Sequence, residues 1–342
     1  MRAVVVEEQG QVRVVDDVPM PVPGEYDALV KIVACGFCNG TDMRIIHGQM
    51  TRQQGLQPYP TVLGHEAVGI IERVGKKVRN LRVGEKHIRI QGGSTQGSRY
   101  SSTHGQMAEY GLITDWAAMK ADGLAVPPGA PMQPSRLPDD FDPVACGVLL
   151  PLCECLSAVR NFDIGPSTDV LVYGAGPMGL AMMQYMKLVG AKSVTCIDSV
   201  PERLEKARTV AGVDETINFQ TQDVAQVLGG RLFDRVVDAV GSSAVILEAS
   251  GYCKPYGMVC ALGVLRKGDS SVDLSLLKNN SRLHMLNFPY EEYAVLQENI
   301  SYIQRGLVDL RNYYSHVLPL EEVHQAMELV RTKQAIKVIL TL

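Results

Sequence analysis

The segment Asp169-Val170-Leu171-Val172-Tyr173-Gly174-Ala175-Gly176-Pro177-Met178-Gly179-Leu180 constrains the fold more than any other. Its apolar run reads as a buried strand, and the G-x-G-x-x-G that follows opens a helical pattern over Pro177–Val189. A second apolar run, Ser193–Asp198, then ends in an acid roughly 20 residues beyond the loop. Each glycine has its own reason. Gly174 permits the tight turn, Gly176 lets the backbone approach a pyrophosphate, and Gly179 lets helix pack closely on strand. The helix start at Pro177 and Met178 offers unbonded N–H groups and a positive dipole end to phosphates. Asp198 can accept hydrogen bonds from ribose hydroxyls and would repel a 2′-phosphate. Ser199 and Val200 follow it rather than a basic pair, so NAD is expected over NADP, although Arg203 is close enough to fold back toward a phosphate. The plain alternative is a glycine-rich βα turn without a nucleotide, and the whole strand–turn–helix–strand–Asp unit speaks against it.

The rest of the chain divides by texture around Cys146. Before it, short β-branched runs predominate: Arg2–Val6, Gln11–Val15, Ala28–Val33, Gly64–Arg73 and Lys86–Ile90. Gln91–Thr103 is polar and rich in Gly and Ser and predicts an exposed loop, and Pro127–Pro143 is a second loop dense in proline. After Cys146, helix-like runs (Leu150–Arg160, Pro177–Val189, Pro201–Ala211) alternate with strands (Asp169–Tyr173, Ser193–Asp198, Arg235–Ala239, Met258–Gly263). That rhythm predicts an α/β, doubly wound parallel sheet. The chain closes on an amphipathic helix, Leu320–Val330, and a strand, Ile336–Thr341. At 342 residues it is long enough for two domains.

Charge narrows the partners. The net charge is −4 and no Lys/Arg run is present, so nucleic acid and anionic membrane are not expected as main partners. No apolar stretch approaches the ~18–20 residues of a membrane span, and the N-terminal apolar run is too short for a signal peptide. The expected location is the cytoplasm. Eight cysteines are scattered without a disulfide framework; several, such as Cys196 and Cys260, lie inside predicted strands as core residues.

Two segments of the β-rich half carry metal-ligand chemistry: Ala34-Cys35-Gly36-Phe37-Cys38-Asn39-Gly40-Thr41-Asp42 and Leu63-Gly64-His65-Glu66-Ala67-Val68-Gly69. A thiolate, an imidazole and a carboxylate are all zinc ligands, and a catalytic zinc keeps one position open beyond three protein ligands. Cys35 and Cys38 make a single CxxC, so a closed four-thiolate site is not supported. From the residues alone, a buried cysteine and a core histidine are an equally good reading.

These segments, with Val83-Gly84-Glu85-Lys86, Gly105-Gln106-Met107-Ala108-Glu109-Tyr110 and Gly174–Gly179, resemble the medium-chain, zinc-containing alcohol/polyol dehydrogenase family, in order and roughly at family spacing. The polyol and threonine dehydrogenase branch is nearest in style. The resemblance implies a GroES-like catalytic domain (1–149 and 288–342), a Rossmann NAD-binding domain (150–287) and a catalytic zinc in the cleft between them. It implies Cys38 and His65 as zinc ligands and Glu66 as a direct or intermittent one. Thr41 would pass the substrate proton onward and His47 would end that relay. Hydride would move between a secondary alcohol (a polyol, sugar or amino alcohol) and NAD, in a homodimer or homotetramer whose sheets pair through Arg282–Phe288.

Three departures qualify it. Asn39-Gly40 places one extra residue before Thr41-Asp42. No cysteine lies between Cys38 and Cys146, so one catalytic zinc and no structural zinc are expected. Where polyol members carry Glu-Pro-Leu, this chain has Leu150-Pro151-Leu152-Cys153-Glu154. Leucine cannot bind metal; Glu154, one turn on, or Cys153 would complete the zinc shell, or Glu154 would read a polar substrate group. The rival readings are a zinc-free enone or quinone reductase of the same fold and a non-catalytic nucleotide-binding protein.

Overall fold

The computed structural model describes residues 1–50, 57–92, 98–102, 104–265, 268–269, 271–287 and 290–342. They form two units, Met1–Leu150 with Ile300–Leu342, and Pro151–Asn299. Residues 290–299 thus cluster with the second unit, past the boundary expected at 287.

The first unit is organised by one long strand, Asp27–Phe37. It pairs antiparallel with Glu66–Val74, with Tyr110–Thr114 and with the C-terminal strand Val338–Thr341, which itself runs parallel to His316–Pro319. Val30, Ile32 and Phe37 from this strand join Leu63, Ile71, Met107, Val338 and Leu340 in one core. The helix Val323–Arg331 closes that core with Val323 and Ala326, as its amphipathic pattern leads one to expect. The pairing with Glu66–Val74 shifts register at Leu29/Val30 and at Ile32/Ala34. Such irregularities re-aim the strand end, and past the second one Gly36 stands opposite Glu66 and Cys35 opposite Ala67. A smaller sheet joins Ala3–Glu8 to Gln11–Val15 and Thr61–Val62.

The two expected loops are more tied down than their composition suggests. Gln91–Gly92 pairs with Gly111 and Leu112, and Ser101–Ser102 pairs with Thr61–Val62; 93–97 and 103 lie outside the described residues. In the proline-dense stretch, Lys86 donates to the carbonyls of Asp139 and Phe141, Ser135 donates to the Ile88 carbonyl, and Leu137 is buried.

The second unit is a six-stranded parallel sheet ordered Glu215–Asn218, Ser193–Asp198, Asp169–Tyr173, Phe233–Asp238, Cys253–Ala261, Arg282–Met285. Helices Pro177–Leu188, Pro201–Thr209 and Ser243–Gly251 connect strands within it. Val170, Leu171 and Val172 are all fully buried, as continuous apolar strands covered on both faces must be. In chain order the strands run 3-2-1-4-5-6, the doubly wound Rossmann arrangement, and the order reverses between Asp169–Tyr173 and Phe233–Asp238. Gly174 leaves its strand at that switch point, where a Cβ on it would stand 3.0 Å from Val240. Among the described residues no helix is long and apolar enough to cross a membrane.

Candidate active site

In the first unit the long strand ends at Phe37, and the helix Thr41–Ile46 starts four residues later. Cys38 sits in that turn. Its backbone N–H donates to Asp42 Oδ2 at 2.8 Å, while the Thr41 N–H points at its sulfur at 3.3 Å. The extra residue of this turn has a use: the Asn39 side-chain amide donates to the Ile336 carbonyl, tying the turn to the chain just before the C-terminal strand.

His65 and Glu66 enter through Gly64, whose φ of +92° and lack of a side chain are both required, since a Cβ there would lie 2.6 Å from Met107 Cγ. His65 presents Nδ1 to Asp42 Oδ1 at 3.6 Å and Nε2 to Glu66 Oε1 at 3.8 Å. Burial works against a charge on the ring, but Asp42 and Cys38 outweigh it and hold the His65 pKa well above its ordinary value. Ligand atoms of Cys38, His65 and Glu66 all lie within 4.8 Å of one another.

Three residues that the sequence reading did not single out complete this environment. Asp42 is fully buried, and its Oδ1 has no hydrogen-bond partner. Lys337 is 3% exposed, and its Nζ lies 2.7 and 2.5 Å from the two oxygens of Glu66. The His104 ring centroid lies 6.0 Å from that of His65; burial, then the charge of His65, push its pKa down to about 4, so its imidazole is neutral at pH 7.

The donor set fits a divalent cation. Without metal, the acids Asp42 and Glu66 face the cations Lys337 and His65; a dication bound to Cys38 as a thiolate and to a neutral His65 would take over the balancing charge of the ring. A neutral His65 held on the metal through Nε2 would turn Nδ1–H toward the unpartnered Asp42 oxygen, the usual outer partner of a metal-bound histidine. Thr41 and His47 stand at opposite ends of one helix, Thr41 beside the cysteine sulfur and His47 exposed at the C-cap. Six residues of helix span about 9 Å, too far for a direct hydrogen bond.

In the second unit the dinucleotide loop is assembled as expected, with one addition. Gly174 has φ +99°, Gly176 caps the helix and Pro177 occupies its first turn. Gly179 packs directly on the carbonyl of Gly174. Asp198, 8% exposed, anchors the loop from beneath: it accepts the Ala175 N–H at 2.7 Å and the Ser199 and Val200 N–H groups at 2.7 and 2.9 Å. The acid read as a ribose acceptor therefore also holds the loop's shape. An Arg203 guanidinium nitrogen lies 3.9 Å from the place of a Cβ on Gly176, so this arginine does fold back over the loop. Met178 offers its carbonyl to the Cys155 thiol at 3.3 Å.

Each unit also contains a stretch that matches a known domain family. Residues 24–126 match the alcohol dehydrogenase GroES-like domain, and residues 177–301 match the zinc-binding dehydrogenase domain. This chain belongs to the medium-chain zinc-binding dehydrogenase family. An alcohol dehydrogenase of Cupriavidus necator is 29% identical to it, over 96% of this chain and 94% of the relative. An L-threonine 3-dehydrogenase of Edwardsiella ictaluri is 27% identical, over 95% and 94%. Among solved structures, the alcohol dehydrogenase TADH from Thermus sp. ATN1 superposes with a TM-score of 0.79 at 25% identity, over 100% and 99% of the two chains. At lower identity the fold recurs in a zinc-binding dehydrogenase from Sinorhizobium meliloti 1021 bound to NADP (24%, TM-score 0.76) and in RspB from E. coli CFT073 complexed with NADH (22%, TM-score 0.79), each covering 100% of this chain and 99% of the other.

The residues expected to complete the zinc shell lie on the helix Leu149–Asn161. Leu150 is buried at the end of the first unit. Cys153 lies inside the second unit with its sulfur accepting from Asn299 at 3.4 Å, and burial pushes its thiol pKa up, opposite to what a thiolate ligand needs. Glu154 is half-buried on the helix Leu149–Asn161.

Proposed function

We propose that this dehydrogenase uses one zinc ion and NAD to move a hydride to and from a secondary alcohol that carries a neighbouring polar group. The convergence of Cys38, His65 and Glu66 within 4.8 Å carries this reading. Zinc held by Cys38 and His65, with Glu66 beside it, supplies Lewis-acid chemistry that makes an alcohol easier to deprotonate. The chain's own groups do the rest. Asp42 fixes the orientation of His65, Thr41 accepts the departing proton, and His47 delivers it to solvent through an intermediary group, since the two are a helix length apart. The neutral imidazole of His104 beside His65 suits a polar substrate such as a polyol, sugar or amino alcohol, and the similarity to an L-threonine 3-dehydrogenase points the same way.

Metal analysis together with turnover tests this. We expect one zinc per chain, not two, and NAD-linked oxidation of vicinal diols and amino alcohols in preference to long-chain primary alcohols. A metal-free protein that reduces enones would establish the reductase reading instead. Metal and NAD bound without turnover on the whole panel would leave a nucleotide-binding protein.

For the coenzyme, Asp198 favours NAD over NADP, because a buried carboxylate repels a 2′-phosphate even with Arg203 nearby. Asp198→Ala is expected to raise the NADP-to-NAD ratio of kcat/KM by about tenfold or more, roughly 1.4 kcal/mol. An unchanged ratio would remove Asp198 from coenzyme selection. The partner we assign is a second copy of the chain, with neither nucleic acid nor membrane required. Arg282–Met285 is the edge strand of the parallel sheet and exposes Leu283 and Met285, so sedimentation should show a dimer or tetramer, and a monomer would end that assignment. Eight free cysteines suit a reducing compartment, and the cytoplasm is the location we assign.

A further inference from the structure

We infer that Lys337 competes with the metal ion for Glu66, so that this lysine loosens the hold of the site on its zinc. The inference rests on reading Cys38, His65 and Glu66 as a metal site, and its test separates the two.

The pair is unusual in its burial. Lys337 and Glu66 are each 3% exposed, and the ammonium reaches both carboxylate oxygens. A buried lysine is rare unless paired, and 271 residues separate the partners, so the folded chain brings them together. The sheet fixes the meeting. Val338 is in register with Phe37, and Gly36 is in register with Glu66, so Lys337 arrives at the end of the long strand just where the carboxylate stands. Gly36 also clears the space: a Cβ there would strike Glu66 Oε2 and approach the Gly147 carbonyl to 2.5 Å. The carboxylate thus occupies a slot open on one side to Lys337 and on the other to His65 Nε2, 3.8 Å away.

A bound metal ion would therefore have to share Glu66 with Lys337. The carboxylate's lone pairs serve the ammonium or a metal ion, and each contact to one weakens the other. Without metal, Lys337 neutralises Glu66 and relieves the crowding of anionic charge. Lys337 thus stabilises the metal-free protein and weakens the metal-bound one. A site built in this way holds zinc less tightly than its three donors alone would.

The test uses the full-length chain stripped of metal with a chelator. Zinc affinity is read by competition with a chromogenic chelator, and stability by melting of the metal-free protein. Lys337→Met removes the charge at similar length; Lys337→Gln does so with less disturbance and serves if the first variant does not fold. Removing a partner that supports a metal ligand commonly costs about 10–100-fold in metal affinity; Lys337 is a cation that competes for its ligand, so the sign is reversed here. The expected result is zinc binding tightened about tenfold or more in either variant, with a lower melting temperature without metal. In Glu66→Gln/Lys337→Met the tightening should vanish, because the carboxylate that was set free is gone. Affinity that is unchanged or weaker in Lys337→Met and Lys337→Gln overturns the inference, as does tightening that persists in the double variant. Zinc uptake by Cys38→Ser equal to that of the unaltered chain would remove the metal site itself, and the inference with it.

Discussion

Cys38→Ser should leave the protein folded, nearly free of zinc and almost without dehydrogenase activity. The sulfur of Cys38 is the one soft donor among the three of the cluster, and two backbone N–H groups position the residue, its own on Asp42 and that of Thr41 on its sulfur. Serine keeps the shape but substitutes a neutral, hard oxygen for a thiolate, so the charge balance that suits a dication is lost. Turnover by a zinc-dependent route should then fall in kcat/KM by about a thousandfold or more, on the order of 4 kcal/mol. Cys35→Ser is the control. Cys35 lies on the same strand but is fully buried, its pKa is pushed well up by burial and then by the neighbouring acids, and its thiol donates to the Gly36 carbonyl at 3.6 Å. It should keep its zinc and lose at most some stability. Zinc content and kcat/KM measured on the same preparations decide the matter: unaltered zinc and turnover in Cys38→Ser would end the metal assignment.

The contrast between these two cysteines shows what local sequence conveys. The Gly174–Gly179 unit was legible because its reasons are local: a strand, a turn that needs positive φ, and a helix start, all within a dozen residues. Cys38, His65 and Glu66 were likewise legible as two short segments, and the parallel sheet followed from alternating strand and helix patterns. What escaped depends on contacts between distant parts of the chain. Lys337 looks like an ordinary surface lysine until the last strand pairs with Phe37. Asp42 reads as a helix-start acid, yet it is buried against Cys38 and His65. His104 directly follows the stretch Gln91–Thr103 whose polarity suggests exposure, and only the folded chain carries it to His65. The edge strand Glu215–Asn218 was missed for a related reason: Glu-Thr-Ile-Asn has one buried apolar residue, too little for a periodic signal.

Gly179→Ala should cost the protein both stability and coenzyme. By helix propensity alone the change favours the helix Pro177–Leu188, since alanine exceeds glycine by about 1 kcal/mol in a helix interior. The packing reverses that sign. A Cβ on Gly179 would collide with the Gly174 carbonyl oxygen and sit 2.9 Å from its carbon, and both are backbone atoms that no rotamer change can move. Gly174 cannot easily yield, because its φ of +99° already sets the turn and Asp198 holds the next N–H. The helix must therefore back away from the strand, at about 1–3 kcal/mol for an overpacked site. Its N-terminus then leaves the position where N–H groups meet a pyrophosphate, and NAD affinity should fall about tenfold or more. Gly176→Ala separates the two effects. Its nearest neighbour would be Arg203 at 3.9 Å, so the fold has room for the methyl group, while the backbone approach to the pyrophosphate does not. Melting should be nearly unchanged in Gly176→Ala and lowered in Gly179→Ala, with NAD binding by calorimetry weakened in both. If Gly179→Ala binds NAD as the unaltered chain does, the close packing of helix on strand is not what shapes the coenzyme site.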